Sequence, residues 1–180
     1  MIIFDTETTG LPKPMAVGLE FQPKIIEFAA IKIDDETLEE VEIIEFLANP
    51  DQVLDKFIIN FTGITNEAIS KAQPFKFYYS QLFEFFKGEK TIIAHNLSFD
   101  LSLLNFELQR LEKSNDFPIP LNKICTVNQT YNLFQYRLSM AKLYEYLFGE
   151  PIKEAHRALI DCENLVKIVK ELIKRDLIKI

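Results

Sequence analysis

Basic residues are the minority charge in this chain: 20 Lys and Arg stand against 27 Asp and Glu, for a formal net charge of −7. Coating a duplex takes many cations on phosphates, so the acidity argues against an architectural DNA binder. It leaves room for a protein that grips a short nucleic-acid end and recruits bound metal for its positive charge. Cysteine is also scarce. Cys125 and Cys162 are the whole complement and share no C-x-x-C spacing, which argues against a cysteine zinc site. They are expected as buried thiols in a reducing compartment. Five glycines in 180 residues leave little material for a flexible linker, so a single domain over residues 1–180 is expected. No stretch reaches the roughly 18 uncharged apolar residues of a membrane span. The opening Met-Ile-Ile-Phe-Asp has no basic region and no apolar segment of signal-peptide length. The expectation is a cytoplasmic protein with no membrane partner.

What is present is 48% hydrophobic residues, ordinary for a globular core, arranged in two different periods. Residues 1–5 run apolar up to Asp5, and residues 24–33 and 40–48 are rich in β-branched and aromatic side chains. The acidic DDET at 34–37 reads as the turn between them, and residues 91–95 as a short buried strand. The second half changes to helical spacing. Helices are expected over 75–87 after Pro74, over 99–113 with Leu101, Leu104, Leu108 and Leu111, over 126–135, over 139–148 before Gly149, and over 156–175. Strands followed by a helix–strand–helix alternation predict an α/β fold, a mixed sheet flanked by helices. The first strands lie too close together for the crossover helices of an all-parallel sheet. Phe75, Tyr78, Leu82, Phe85 and Phe86 fall at helical spacing and are expected as core. QTYNLF at 129–134 loosely resembles a sliding-clamp-binding peptide, but it falls in an expected helix and is taken as core.

Asp5 and Glu7 are two apart on an extended chain, so their carboxylates share a face. Neighbouring carboxylates repel unless a cation lies between them, and hard divalent ions prefer oxygen. The same spacing at Asp34 and Glu36 is explained by a solvated turn. Thr8, Thr9 and Gly10 follow Asp5 and Glu7, a small polar turn whose N–H groups can approach a phosphate or sugar. The fragment alone fits either a metal pair or an acidic surface turn. Asp100 opens the Leu-striped helix, and on its own it reads as a helix-start carboxylate, with Ser98 as an N-cap. Asp161 is the sharper anomaly. Leu165, Ile168 and Leu172 place it on the apolar side of its helix, where a carboxylate needs a partner or a metal. The competing explanation is a salt bridge to Arg157. His95 and His156 each lie five residues before an aspartate, so spacing does not choose between them. His95 ends an apolar strand and suits a structural imidazole. His156 lies at a loop or helix start and suits a base near neutral pH.

Together, IIFDTETTGL at 2–11, AHNLSFDLSLL at 94–104 and AHRALIDCENL at 155–165, with FTGITNE at 61–67 between the first two, resemble the histidine-containing branch of the DEDD superfamily of 3′–5′ exonucleases. The likeness runs from residue 1 to about 175. It implies a ribonuclease H-like fold, with Asp5, Glu7, Asp100 and Asp161 holding two divalent metal ions, Mg²⁺ or Mn²⁺, and His156 as general base. It implies that Thr8, Gly10 and the backbone near them contact the terminal nucleotide, that Leu11 packs on the terminal base, and that Asn96 and Phe99 shape the pocket. Thr62 stands before Gly63 where many members carry histidine. The implied reaction is hydrolysis of the terminal phosphodiester at a single-stranded or frayed 3′ end of DNA, of proofreading or repair type, releasing nucleoside 5′-monophosphates. RNA ends are the alternative substrate, and a weakly active end-binding module is a further alternative. A DNA polymerase partner, or membership of a larger polypeptide, stays open.

Overall fold

The first strand is the hub of the sheet. In the computed structural model, which describes residues 1–14, 16–153 and 156–178, Ile2–Thr8 (β1) pairs antiparallel with Ile25–Ile33 (β2). Glu40–Leu47 (β3) lies antiparallel on the far side of β2. Thr91–Ala94 (β4) runs parallel to β1, and Asn122–Cys125 (β5) runs parallel to β4. The order is β3-β2-β1-β4-β5, the mixed sheet expected. In chain order the helices are Lys56–Thr62 (α1), Asn66–Ser70 (α2), Tyr79–Phe86 (α3), Leu97–Arg110 (α4), Thr126–Phe134 (α5), Met140–Phe148 (α6) and Ala158–Lys174 (α7).

Both faces of the sheet are covered, so β1 is apolar at consecutive positions rather than at alternate ones. Ile2 and Phe4 pack with Phe28, Leu82, Phe86 and Leu104 on the α3–α4 side. Ile3 packs with Ile31, Leu143, Leu165 and Ile168 on the α6–α7 side. Phe28 is fully buried and stacks on Phe46 at 5.4 Å; truncating such a ring to alanine costs about 3–5 kcal/mol. The alternation carries forward along β1. Thr6 follows Phe4 toward α4, while Asp5 and Glu7 follow Ile3 toward α7.

The expected elements are present with shifted ends. β1 does not stop at Asp5 but pairs as far as Thr8, with its register shifting between Glu7 and Thr8. The 75–87 helix is divided: Phe75–Tyr78 is a 3-10 turn and α3 begins at Tyr79. α4 begins at Leu97, so the cap position falls to Asn96 and not to Ser98. α7 begins at Ala158, leaving His156 in the preceding loop. Residues 129–134 are helical, but they are not core. Only Thr130 is buried there, while Tyr131 and Leu133 face outward, because the short α5 has one covered side.

α1, α2 and β5 have no counterpart among the expectations. KFIINFT is rich in β-branched and aromatic residues, which favour strands. It folds as a helix because its ends are closed: the Asp55 side chain accepts the Ile58 N–H at 2.9 Å, and Gly63 takes a left-handed φ of 72°. Among the described residues, no helix is long and apolar enough to cross a membrane.

Candidate active site

Past Phe4, β1 leaves the apolar core and carries its acids into a cluster. Glu7 and Asp161 each offer a carboxylate oxygen, and His156 a ring nitrogen, with all three atoms within 4.8 Å of one another. Asp5 lies beside them, close enough to feel the charges of Asp100, Asp161, Glu7 and Glu27. Asp100 arrives from the other face of the sheet, where its Oδ1 accepts the Thr6 hydroxyl at 2.8 Å. β1, α4, α7 and the loop before α7 thus bring the five predicted residues to one end of the central strand.

The electrostatics are those of several buried carboxylates held close together. Burial, with the charges of Asp161 and Glu27 next, pushes Glu7 from an ordinary 4.5 to about 8. Burial raises Asp100 to about 7, opposed by the hydrogen bond from Thr6. Burial and then Asp100 hold Asp5 well above the usual carboxylate range. Asp161 is raised by burial and partly relieved by the His156 backbone N–H, which donates to its Oδ2 at 2.9 Å. The other oxygen, Oδ1, is buried with no hydrogen-bond partner among the described residues. An orphaned buried anionic oxygen is costly, and bound divalent cations would satisfy it and reverse the mutual repulsion. The side chains present therefore fit divalent metal.

The two histidines have different surroundings. His95 is fixed on both sides, Nδ1 to the Thr126 hydroxyl at 2.9 Å and Nε2 to the Leu138 carbonyl at 3.0 Å, and burial lowers its pKa. It is a structural imidazole. His156 is exposed, its ring rests on Phe61 at 4.1 Å, and it lines the same cavity as Asp5, Glu7 and Asp161. Arg157 does not pair with Asp161. Its guanidinium reaches the buried Glu27 instead, which leaves Asp161 without the salt bridge offered as its alternative.

The cavity measures about 480 Å³. Thr8, Gly10, Leu11 and Phe99 line it, as the motifs suggest. The Thr8 hydroxyl donates to the Gly10 carbonyl at 2.7 Å and folds the turn between them. Leu11 is 77% exposed at the rim. Asn96 is not among the lining residues; its Oδ1 accepts from Arg137 at 2.8 Å at the start of α4. Asp100 also lies off the wall, behind Thr6. The third motif begins at Ala155, which lies outside the described residues, as does Glu154 before it. α1 supplies further lining: Phe57 and Phe61, which went unnoticed as cavity residues in the sequence, and Thr62, the position where many members carry histidine. Phe57 and Phe61 stack at 5.9 Å with their planes 12° apart, and their i,i+4 spacing was the available signal. Thr62 closes α1, donating to the Ile58 carbonyl at 2.9 Å and accepting the Ile64 N–H at 3.1 Å.

Comparison with known proteins agrees with this geometry. The chain is 33% identical over 185 residues to a PolC-type DNA polymerase III of Bacillus cereus, a match covering 97% of this chain and 12% of that protein. It therefore spans only a small part of that relative's length. Among solved structures, the nuclease domain of 3′hExo, a DEDDh family member bound to rAMP, superposes with a TM-score of 0.75 at 21% identity, covering 97% of this chain and 91% of that one. Exonuclease X in complex with 5′ overhanging duplex DNA superposes with a TM-score of 0.64 at 21% identity, covering 97% and 92%. These likenesses establish the ribonuclease H-like exonuclease fold. Residues 2–169 match the exonuclease family RNase_T, and the chain belongs to that family.

Proposed function

We propose that residues 1–180 form one 3′–5′ exonuclease domain that trims single-stranded or frayed 3′ ends of DNA, releasing nucleoside 5′-monophosphates, in proofreading or repair. The observation that carries this reading is the convergence of buried carboxylates and one exposed imidazole on a cavity of about 480 Å³, large enough for a nucleotide. The likeness to a DNA polymerase over 97% of the chain supports DNA as substrate and a DNA polymerase as partner; the proposed location is the cytoplasm.

Asp5, Glu7, Asp100 and Asp161 would hold two divalent ions, Mg²⁺ or Mn²⁺, which supply an activated water and neutralise charge on the transferring phosphoryl group. His156, free to face the cavity from its loop, takes the proton of the attacking water as general base. Thr8 and the backbone to Gly10 hold the terminal nucleotide. Leu11 and Phe61, both lining the cavity, pack on its base, since aromatic and apolar faces stack on any base. Phe99 shapes the floor of the pocket. Asn96 acts from behind this wall, by orienting the start of α4.

A second reading, an exonuclease of RNA ends, is favoured by the superposition on 3′hExo with rAMP bound. The deciding experiment is digestion of matched 5′-labelled single-stranded DNA and RNA with Mg²⁺ or Mn²⁺, by the protein and its Asp5→Ala variant. A metal-dependent ladder shortening from the 3′ end, absent in the variant, is the expected result, and the preferred strand selects the substrate. No shortening of either strand by folded, metal-bound protein would leave an end-binding module.

A further inference from the structure

A glutamate at the third position of β2 is an unexpected residue. Its neighbours Ile25, Ile26, Phe28 and Ala29 are buried apolar side chains, yet Glu27 is 0% exposed. Its Cα lies opposite that of Glu7 on β1, so two carboxylates share one face of adjacent strands, a pairing that is unfavourable by itself. Burial of an ion pair is weak support for stability, so packing alone does not account for it.

The contacts of Glu27 all go to one place. One carboxylate oxygen accepts Arg157 Nε at 2.9 Å, and the other accepts the backbone N–H of Ala158 at 2.8 Å. Ala158 is the first residue of α7, and its amide is one of the unpaired donors of a helix start. Arg157, at the cap position, offers that helix no side-chain cap. Glu27 supplies the cap from a different element of the fold. The residues it grips lie between His156 and Asp161, which are themselves joined by the His156 N–H on Asp161 Oδ2. His156 holds a left-handed φ of 67°, an uncommon conformation for a residue with a side chain, which histidine adopts more readily than most.

We infer that Glu27 and Arg157 are a positioning pair that locks the start of α7 onto β2 and so sets His156 and Asp161 at their places opposite Asp5 and Glu7. The pair touches neither substrate nor the reacting atoms. It acts through the loop it holds. This role rests on the exonuclease reading above, but the anchoring itself is measurable without it.

The test replaces the charged pair by an apolar one, Glu27→Leu with Arg157→Met, which keeps the core filled and leaves no buried charge behind. Three quantities are read: melting temperature, amide hydrogen exchange over residues 156–161, and kcat and KM on 5′-labelled single-stranded DNA or RNA. The expected result is a folded protein with near-native melting, faster exchange confined to residues 156–161, and a kcat lower by about 10- to 100-fold, as for groups that orient catalytic side chains, with KM little changed. Glu27→Gln, which keeps an acceptor for the Ala158 N–H, should fold in any case and recover part of that loss. Native exchange together with native kcat in the apolar double variant would make the pair structural only and overturn the inference. A raised KM with kcat unchanged would overturn it too, by making Arg157 a substrate contact. Should the unmutated protein digest neither strand, the exonuclease reading fails, while the exchange result still decides the anchoring.

Discussion

Phe61 lies against His156, ring centroids 4.1 Å apart and planes inclined by 41°. One face of α1 therefore serves both the cavity wall and the imidazole. Phe61→Ala removes the contact and half of the Phe57–Phe61 stack. Aromatic contacts and base stacking are each worth about 1 kcal/mol or more, so kcat/KM should fall by about 10-fold or more. The side chain is 48% exposed, so melting should hardly move. Steady-state kinetics beside a thermal melt checks both.

The two histidines should separate cleanly. His156→Ala is expected to lower kcat by about 10²–10⁴-fold, the usual range for a general base, with native melting. His95→Ala breaks two hydrogen bonds in the interior and should cost about 1–3 kcal/mol of stability. Denaturant titration and single-turnover rates on both variants test the assignment; a His95 variant that folds normally but has lost the chemistry would reverse it.

Metal-free protein should lose stability as pH rises. Glu7 stands at about 8 against an ordinary 4.5, and Asp100 at about 7 against 3.8. Between those limits the folded chain binds more protons than the unfolded one, so this contribution is full below the ordinary values and gone once pH passes the raised ones. Melting in EDTA should fall from pH 5 to pH 8.5. Added Mg²⁺ or Mn²⁺ binds the ionised carboxylates and should flatten that slope.

Asp5→Asn removes a charge that Asp100, Asp161 and Glu7 all oppose. The variant should melt higher than the unmutated protein without metal, yet gain less when metal is added. A fully loaded site at 100 times its dissociation constant adds about 2.7 kcal/mol, and most of that gain should disappear. Calorimetric metal titration of the two proteins decides it.

Thr6→Val deletes the hydroxyl that donates to Asp100 at 2.8 Å. With that donor gone the Asp100 carboxyl should move further upward, and the metal-dependent activity should need a higher pH to reach half its maximum. A pH–rate profile of the variant reads the shift directly.

Much of this site could be read from side-chain periods. Asp5 and Glu7 stood two apart, and Asp161 stood on the apolar side of its helix, where the structure finds it buried; Asp100 read by itself as a helix-start carboxylate, and only the resemblance of its motif pointed to the site. What escaped depends on partners far along the chain. Glu27 looked like one acid in a β-rich run, and its meaning comes from Arg157, 130 residues later. Asn96 sits where its motif places it, but its amide is turned by Arg137, 41 residues on. α1 was hidden because KFIINFT has strand-like composition and its helix is made by the caps Asp55 and Gly63. Residues 129–134 were misjudged as core because helical spacing reports which side chains share a face, not whether anything covers that face.

The position of β1 between β2 and β4 divides the site into two kinds of material. Asp5 and Glu7 belong to the strand that the whole sheet is built around, so any change that relocates them dismantles the protein. Leu11, Phe57 and Phe61 sit at the margin and can be exchanged with little penalty to folding. Under the proposed function, preference for one sugar or base would be adjustable at the rim by ordinary mutation, while the acids at the centre are held in place by the sheet itself.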